Sequence, residues 1–250
     1  MIHSLEKDRI VRIWYKNGNI KEQTRLVDGK KHGQSVLFYE NGNMRSSTLY
    51  NRGVREGESK KYYYTGQLKN ISFYRHNRLH GESIDMFVGG TIFLSKNFRN
   101  GRAEGFEIWF WDDGVIRKKS NYSNNKINGE LTEYSEFGNI ILKSNYKKDK
   151  LHGEQFEFYQ NGSISKKLEY KNGIQHGVEI EYFENAHVKA SCQFKSGKRH
   201  GYFCINNDRG IRIMEGNYRN GSPVGIWTHY DESGNIERYN DHGNSRLVEK

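Results

Sequence analysis

Residues 152–175 read HGEQFEFYQNGSISKKLEYKNGIQ, and the placing of their apolar residues and glycines decides what the chain folds into. Phe156 and Phe158 alternate with Gln155 and Glu157, and beyond Asn161-Gly162 the residues Ile164 and Tyr170 again share a parity. Period-two alternation on both sides of an Asn-Gly pair is the pattern of a β-hairpin. Helix is disfavoured by the wrong period and by frequent glycine. A two-residue loop would set Phe158 opposite Ser165, whereas a three-residue loop, Gln160-Asn161-Gly162, sets it opposite Ile164. The longer loop keeps the apolar residues on one face. It is a type I turn closed by a bulge, and its last residue takes a left-handed conformation that suits glycine.

Working outward, Gly153 belongs to a series at Gly33, Gly57, Gly81, Gly105, Gly129, Gly153, Gly177, Gly201 and Gly225, one every 24 residues. Gly162 belongs to a second series that only Ala186 interrupts, so Ala186 is expected to be locally strained. Gly173 belongs to a third, in which Asn77, Asn125 or Asp149 replaces glycine as the next most tolerant of positive φ. The three series account for 24 of the 27 glycines, which makes them turn punctuation. Ten 24-residue units fill residues 8–247 and leave tails at 1–7 and 248–250. No composition shift marks a boundary, so a single repeat domain is expected.

The predicted fold is all-β, an elongated, twisted antiparallel β-meander of about 20 strands built from ten β-hairpin repeats. One face is expected to carry a continuous apolar row, Val36, Phe38, Met44 and Tyr50 in one unit and Phe156, Phe158, Ile164 and Tyr170 in another. On the solvent face, Glu133, Glu157 and Glu181 of first strands are expected to pair with Lys143, Lys167 and Lys189 of second strands. Residues 200–223 have the opposite apolar parity at Phe203, Ile205, Ile211 and Ile213. This predicts either a cap or a change of buried face.

Composition agrees with a thin fold. A hydrophobic fraction of 34% and a mean hydropathy of -0.96 are too low for a thick core, while 14% aromatic residues and one proline argue against disorder. Two cysteines in 250 residues exclude a disulfide framework. Cys192 and Cys204 have inward parity on neighbouring strands and read as two small buried thiols. Charges interrupt the N-terminus up to Trp14, and no apolar run is long enough for a transmembrane segment. The expectation is a cytoplasmic protein, free or peripheral at a membrane.

The phrases Tyr39-Glu40-Asn41-Gly42, Tyr159-Gln160-Asn161-Gly162, Tyr170-Lys171-Asn172-Gly173 and His152-Gly153-Glu154 resemble the MORN repeat family, and more closely its bacterial-type variant. The resemblance runs over nearly the whole chain. It departs from the eukaryotic form, His-Gly-x-Gly, where Ser35, Ser59, Gln155 and Glu179 stand in place of the second glycine. What the resemblance implies is an all-β array that binds partners and is not an enzyme. Eukaryotic members are linked to membranes, junctions and scaffolding, and variant members often carry an antitoxin-like label.

Two surfaces stand out as candidate sites. The connections between units, on one edge, hold Lys30, Lys31, Arg52, Arg55, Arg75, Arg78, Arg99, Arg102, Lys147, Lys148, Lys150, Lys195, Lys198 and Arg199, with Lys126, Lys171 and Arg219. Against four acidic residues that is +13, so the net charge of +10 lives on this edge and the rest of the chain is -3. Such an edge attracts an anionic lipid surface, or it keeps an open sheet soluble. Its loops lack the interleaved aromatics of a single-strand nucleic-acid binder, so nucleic acid is not expected. The second surface is an aromatic row, Tyr39, Tyr63, Phe87, Trp111, Tyr159 and Phe183 with Trp109 beside it, suited to a protein partner.

Catalytic chemistry is not legible. His32, His80, His152, His176 and His200 recur once per unit, about 10 Å apart, too far to share a metal. Glu56, Glu104, Asn128 and Val224 replace them elsewhere, which indicates a loop-packing or hydrogen-bonding role. No cofactor, metal or catalytic residue is expected. The sequence reads as a non-enzymatic interaction module or scaffold, with lipid-surface binding and antitoxin-like neutralisation of a cognate protein as alternatives.

Overall fold

Turn chemistry organises the structure, a computed structural model that describes residues 7–243. The tail at 248–250 and all of the N-terminal tail except Lys7 lie outside the described residues. The chain packs as two compact units, one up to Lys126 and one from Ile127. In the first, β1 (Asp8–Trp14), β2 (Ile20–Val27), β3 (Lys30–Phe38), β4 (Met44–Asn51), β5 (Val54–Tyr62), β6 (Leu68–Arg75), β7 (Arg78–Met86), β8 (Ile92–Arg99), β9 (Arg102–Phe110) and β10 (Ile116–Ser123) form an antiparallel meander.

The second unit repeats the scheme with β11 (Lys126–Tyr134), β12 (Ile140–Lys147), β13 (Lys150–Phe158), β14 (Ile164–Lys171), β15 (Ile174–Gln175), β16 (Gly177–Tyr182), β17 (Val188–Lys195), β18 (Lys198–Asn206), β19 (Arg212–Arg219), β20 (Ser222–Tyr230) and β21 (Ile236–Asp241). β15 and β16 are one strand interrupted at His176, whose N–H donates to Glu169 O at 2.9 Å. The expected all-β antiparallel class is the one found.

Two kinds of turn alternate along the chain. In the hairpin loop, Gly162 N–H donates to Tyr159 O at 3.0 Å and Tyr159 N–H to Ser163 O at 2.9 Å, which encloses Gln160-Asn161-Gly162. Phe158 faces Ile164, as the longer loop requires. The connection between hairpin repeats is a two-residue turn in which Asn172 (φ 55) and Gly173 (φ 85) are both left-handed, the geometry of type I′. Turns of successive units are tied together, Gly173 N–H donating to Leu151 O at 2.7 Å. Where glycine is missing the substitute adds a bond: Asn77 Oδ1 accepts from Arg55 N–H at 2.8 Å, and Asp149 Oδ1 from Ile127 N–H at 2.7 Å.

The single apolar row is overturned. Phe158 faces Ile164, but Glu157 faces Lys166 and Phe156 faces Lys167, because Ser165 is an extra, bulged residue. The equivalent bulges fall at Arg45, Lys69, Phe93, Arg117, Ile141 and Lys189. One extra residue exchanges the faces of everything beyond it. Val36, Ile84, Ile108, Phe156 and Ile180 therefore share a face with Ser47, Ser95, Lys119, Lys167 and Ser191. Tyr50, Phe98, Tyr122, Tyr170 and Phe194 stand on the other face. The expected Glu–Lys pairs shift likewise: Lys166 bridges to Glu181 at 3.0 Å and Glu179 at 3.1 Å, and Lys167 to Glu154 at 2.6 Å.

Down the middle of the tyrosine face in the first unit runs a row of directly opposed residues, Thr24, Ser35, Thr48, Ser59, Ser72, Ser83, Lys96, Glu107 and Ser120. Bulky neighbours on both flanks cover it, and Ser120 is only 1% exposed. In the second unit the row turns apolar toward its end, where Cys192, Phe203 and Trp227 pack with Phe194, Ile205, Met214 and Tyr218. This explains the altered parity of residues 200–223, since Phe203 fills the central row there. Buried Asn206 is satisfied by Val188 O and by Arg212 Nε, each at 2.7 Å. Cys192 faces Phe203 while Cys204 faces Ser191, so the two buried thiols point to opposite faces and do not meet.

Candidate partner-binding surfaces

Six hairpin loops open on a residue of the aromatic row, while Ser135, Asn207 and Asp231 hold that position in other loops, and the polar ends of Tyr39, Tyr63 and Tyr159 are already used. The hydroxyls of Tyr39, Tyr63 and Tyr159 donate to Tyr62 O, Met86 O and Tyr182 O at 2.8, 2.6 and 2.7 Å. Each bond ties one loop to the end of the next first strand. The bulged residue of the same hairpin then covers the ring: Lys69 Nζ lies 5.2 Å from the Tyr63 centroid, the Arg117 guanidinium 4.8 Å from Trp111, and Lys189 Nζ 5.9 Å from Phe183. At these positions the row is a staple between hairpins.

Phe87 differs. It has no hydroxyl, and its bulged companion is Phe93, with ring centroids 5.1 Å apart. Phe93 in turn lies 6.3 Å from Trp109. The result is a three-ring cluster on the first unit, with Phe87 37% and Val88 50% exposed. Trp109 stands on β9 opposite Leu94 and Lys118, and its Nε1 donates to Glu107 at 2.9 Å. Trp109 and Trp111 are not one patch, because Trp111 belongs to the loop row under Arg117. Sequence reasoning missed Phe93; its aromatic character at a position held elsewhere by Lys, Arg, Ile or Ser was the available signal.

Glu107 anchors this region from beneath. It accepts from Lys96 Nζ at 2.5 Å while its side chain is 7% exposed. Burial alone would raise its pKa, but the hydrogen bonds from Lys96 and Trp109 outweigh that, and the carboxyl titrates below its ordinary value. Lys96 also lies 4.5 Å from the Tyr122 ring.

Of the basic edge, Lys30, Arg52, Arg75, Arg78, Arg99 and Arg102 are exposed in the first unit, and Lys147, Lys148, Lys150, Lys195 and Lys198 in the second. Three others are engaged by neighbouring side chains, Arg199 while still exposed. Lys31 binds Glu22 at 2.7 Å, Arg55 lies 4.2 Å from the Tyr74 ring, and Arg199 donates to Tyr218 Oη at 3.3 Å. Arg78, Arg99 and Arg102 line one recess with Asn100, Asn124 and the carboxylate of Glu104.

At two of the repeating histidines the ring accepts a hydrogen bond from the next turn, whereas Nδ1 of His80 and of His200 is buried without a partner among the described residues. His32 Nδ1 accepts from Arg52 N–H and His152 Nδ1 from Asn172 N–H, both at 3.4 Å. Glu56 and Glu104 accept in the same way from His76 and Asn124 N–H at 2.8 and 2.9 Å. Asn128 Oδ1 accepts likewise from Lys148 N–H at 3.4 Å, so Glu and Asn offer the acceptor that His32 and His152 offer.

The family model described as MORN repeat variant matches residues 31–52, 55–76, 127–148, 151–172 and 223–240. No curated protein matches the chain. Among solved structures, a porin-like protein from Bacteroides uniformis ATCC 8492 aligns at 9% identity over 86% of this chain and 91% of that one, with a TM-score of 0.20. A chain of the TcdB2–TccC3 structure aligns at 11% identity over 88% of this chain and 14% of that one, with a TM-score of 0.17. At those scores neither bears on function. Among the described residues no helix is long and apolar enough to cross a membrane.

Proposed function

Since the chain is a MORN repeat protein of the variant type, we propose that it is a non-enzymatic interaction module that docks a protein partner on the ring cluster Phe87, Phe93 and Trp109. MORN repeats are generally associated with protein or membrane interaction, and this reading names the surface. The observation that carries it is local. Tyr63, Trp111 and Phe183 lie under a cation, whereas Phe87 meets another ring and leaves apolar surface open beside exposed Val88. Aromatic clusters of this kind are the usual energetic centres of interfaces. In this reading residues 8–247 act as one array of ten repeats that presents the patch.

The test is affinity capture from the source cell, followed by reconstitution with the purified partner. Binding should be lost in a Phe87→Ser, Phe93→Ser variant that keeps its fold by circular dichroism. An unchanged partner set in that variant sinks the proposal. A toxin as the captured partner would make antitoxin-like neutralisation the specific form of the function.

A second reading is supported by the edge of the first unit, where Arg75 faces Arg78 and Arg99 faces Arg102 across two consecutive turns. Exposed guanidinium groups so arranged suit phosphate. Flotation with anionic vesicles tests it. Binding at low salt that fades as salt rises supports a membrane-surface role, and no binding at low salt rejects it.

A further inference from the structure

A recess of about 560 Å³ opens on the tyrosine face of the first unit, over β4 to β7. That volume lies within the range of small-molecule sites. Its floor is polar to an unusual degree for the buried side of a sheet. Ser46, Lys61, Asn70 and Asp85 oppose one another across four consecutive strands, and Ser72 and Ser83 extend the floor into the next row. Leu37 and Leu94 bound this polar row on either side. Four strands span about 14 Å.

Three observations point to what the recess takes. First, Asn70 is 8% exposed, and its amide nitrogen is held by Ser83 Oγ at 3.3 Å, Ile84 O at 3.1 Å and Asp85 Oδ1 at 2.9 Å. The orientation of the amide is thereby fixed, and its Oδ1 accepts no hydrogen bond among the described residues. That oxygen is an acceptor left available to a ligand hydroxyl. Second, Tyr39 and Tyr74 border the recess and give it aromatic walls, one of which Arg55 already contacts, a lining that suits a pyranose ring or another compact polar ring. Third, Arg45, Lys61 and Lys69 line it without an ion pair among the described residues, while the only carboxylate there, Asp85, already accepts from Asn70. The surplus positive charge selects an anion.

We propose that this recess binds an anionic, polyhydroxylated small molecule of the sugar-phosphate class. Lys61, Lys69 and Arg45 hold the phosphate, Asn70 Oδ1 and the serine floor take hydroxyls, and the tyrosines pack on the ring. A purely apolar ligand is excluded because it would bury the Ser and Asn groups without partners. The site is independent of the ring cluster at Phe87, Phe93 and Trp109, so the two stand or fall separately.

Calorimetry or ligand-observed NMR on the full chain tests the proposal with glucose 6-phosphate, glucose and inorganic phosphate as probes. Glucose 6-phosphate is expected to bind saturably, and glucose or phosphate alone about tenfold more weakly, since each lacks half of the recognised groups. Lys61→Ala with Lys69→Ala, at accessible positions that leave the fold intact, should weaken glucose 6-phosphate about tenfold or more. Asn70→Leu should abolish discrimination between glucose 6-phosphate and bare phosphate. The proposal is overturned if no probe binds at millimolar concentration, if the lysine variant binds as the parent does, or if an acidic peptide binds the recess where glucose 6-phosphate does not.

Discussion

The hydroxyl of Tyr63 donates to the carbonyl oxygen of Met86 at 2.6 Å, and so joins the start of one hairpin loop to the end of the first strand of the next. The bond links repeats that are adjacent in space but 23 residues apart in the chain. Replacing Tyr63 by Phe keeps the ring under Lys69 and removes only this link. The expected loss is about 1 kcal/mol, read as a lower urea midpoint at an unchanged denaturant slope. An unaltered midpoint would show that the link contributes nothing net.

Ala186 occupies the left-handed loop position at φ 66 that glycine holds in the other hairpin loops. Ala186→Gly should relieve that strain and raise stability by up to about 1 kcal/mol, while Gly162→Ala should lower it by a similar amount. The pair of opposite shifts, measured by thermal unfolding, distinguishes backbone strain from loss of side-chain contacts. A shift of the same sign in both would contradict the assignment.

Gly216 lies directly beneath the Trp227 ring, and a Cβ there would overlap it. Phe203, the cross-strand partner of Gly216, and Tyr218 pack against that ring, with centroids 5.4 and 5.0 Å from its own. Gly216→Ala should therefore displace Trp227 at a cost of about 2–3 kcal/mol. The displacement should appear as a red-shifted, more quenchable tryptophan emission. A variant with parental fluorescence and stability would show that the ring has room to move.

Glu107 titrates below the ordinary glutamate value near 4.5 because Lys96 and Trp109 hold its charged form. A depressed carboxylate pKa contributes stability that is complete above the unfolded value and is lost as pH falls through the folded one. The parent should thus lose stability progressively below about pH 4.5, and Glu107→Gln should show a shallower acid slope from a lower plateau. At neutral pH the substitution should cost about 2 kcal/mol, because Lys96 is left beside Tyr122 without its carboxylate. Parallel acid titrations of the two proteins would contradict this.

Turns and strands were legible in the sequence because they are decided locally. The left-handed loop residue at Gly162, its strained copy at Ala186 and the Asn77, Asn125 and Asp149 substitutions all follow from backbone conformations that few residue types tolerate. That the repeating histidine serves loop packing or hydrogen bonding and not a metal was expected from its replacement by Glu, Asn and Val, and the structure shows the hydrogen bond at His32 and His152. The candidate surfaces were only half legible. Composition located the basic edge, but not that Lys31, Arg55 and Arg199 fold back onto aromatic rings. The aromatic row was visible by its spacing, yet its tyrosine hydroxyls find their carbonyl acceptors only once hairpins stack.

By itself, then, the sequence determined the hairpin unit, its 24-residue repeat and the chemistry of both turns, since each depends on residues next to one another in the chain. Only the tertiary structure decided the faces. One bulged residue per hairpin, Ser165 or its counterparts, carries no compositional mark, being Arg45, Lys69, Phe93 or Ile141 elsewhere. It nonetheless exchanges inside and outside for the strand beyond it. Alternation is counted along one strand, whereas a face belongs to the register between two. That register moved the apolar residues onto both faces, set the serine row beneath the tyrosines and brought Asn70, Lys61 and Asp85 to one floor.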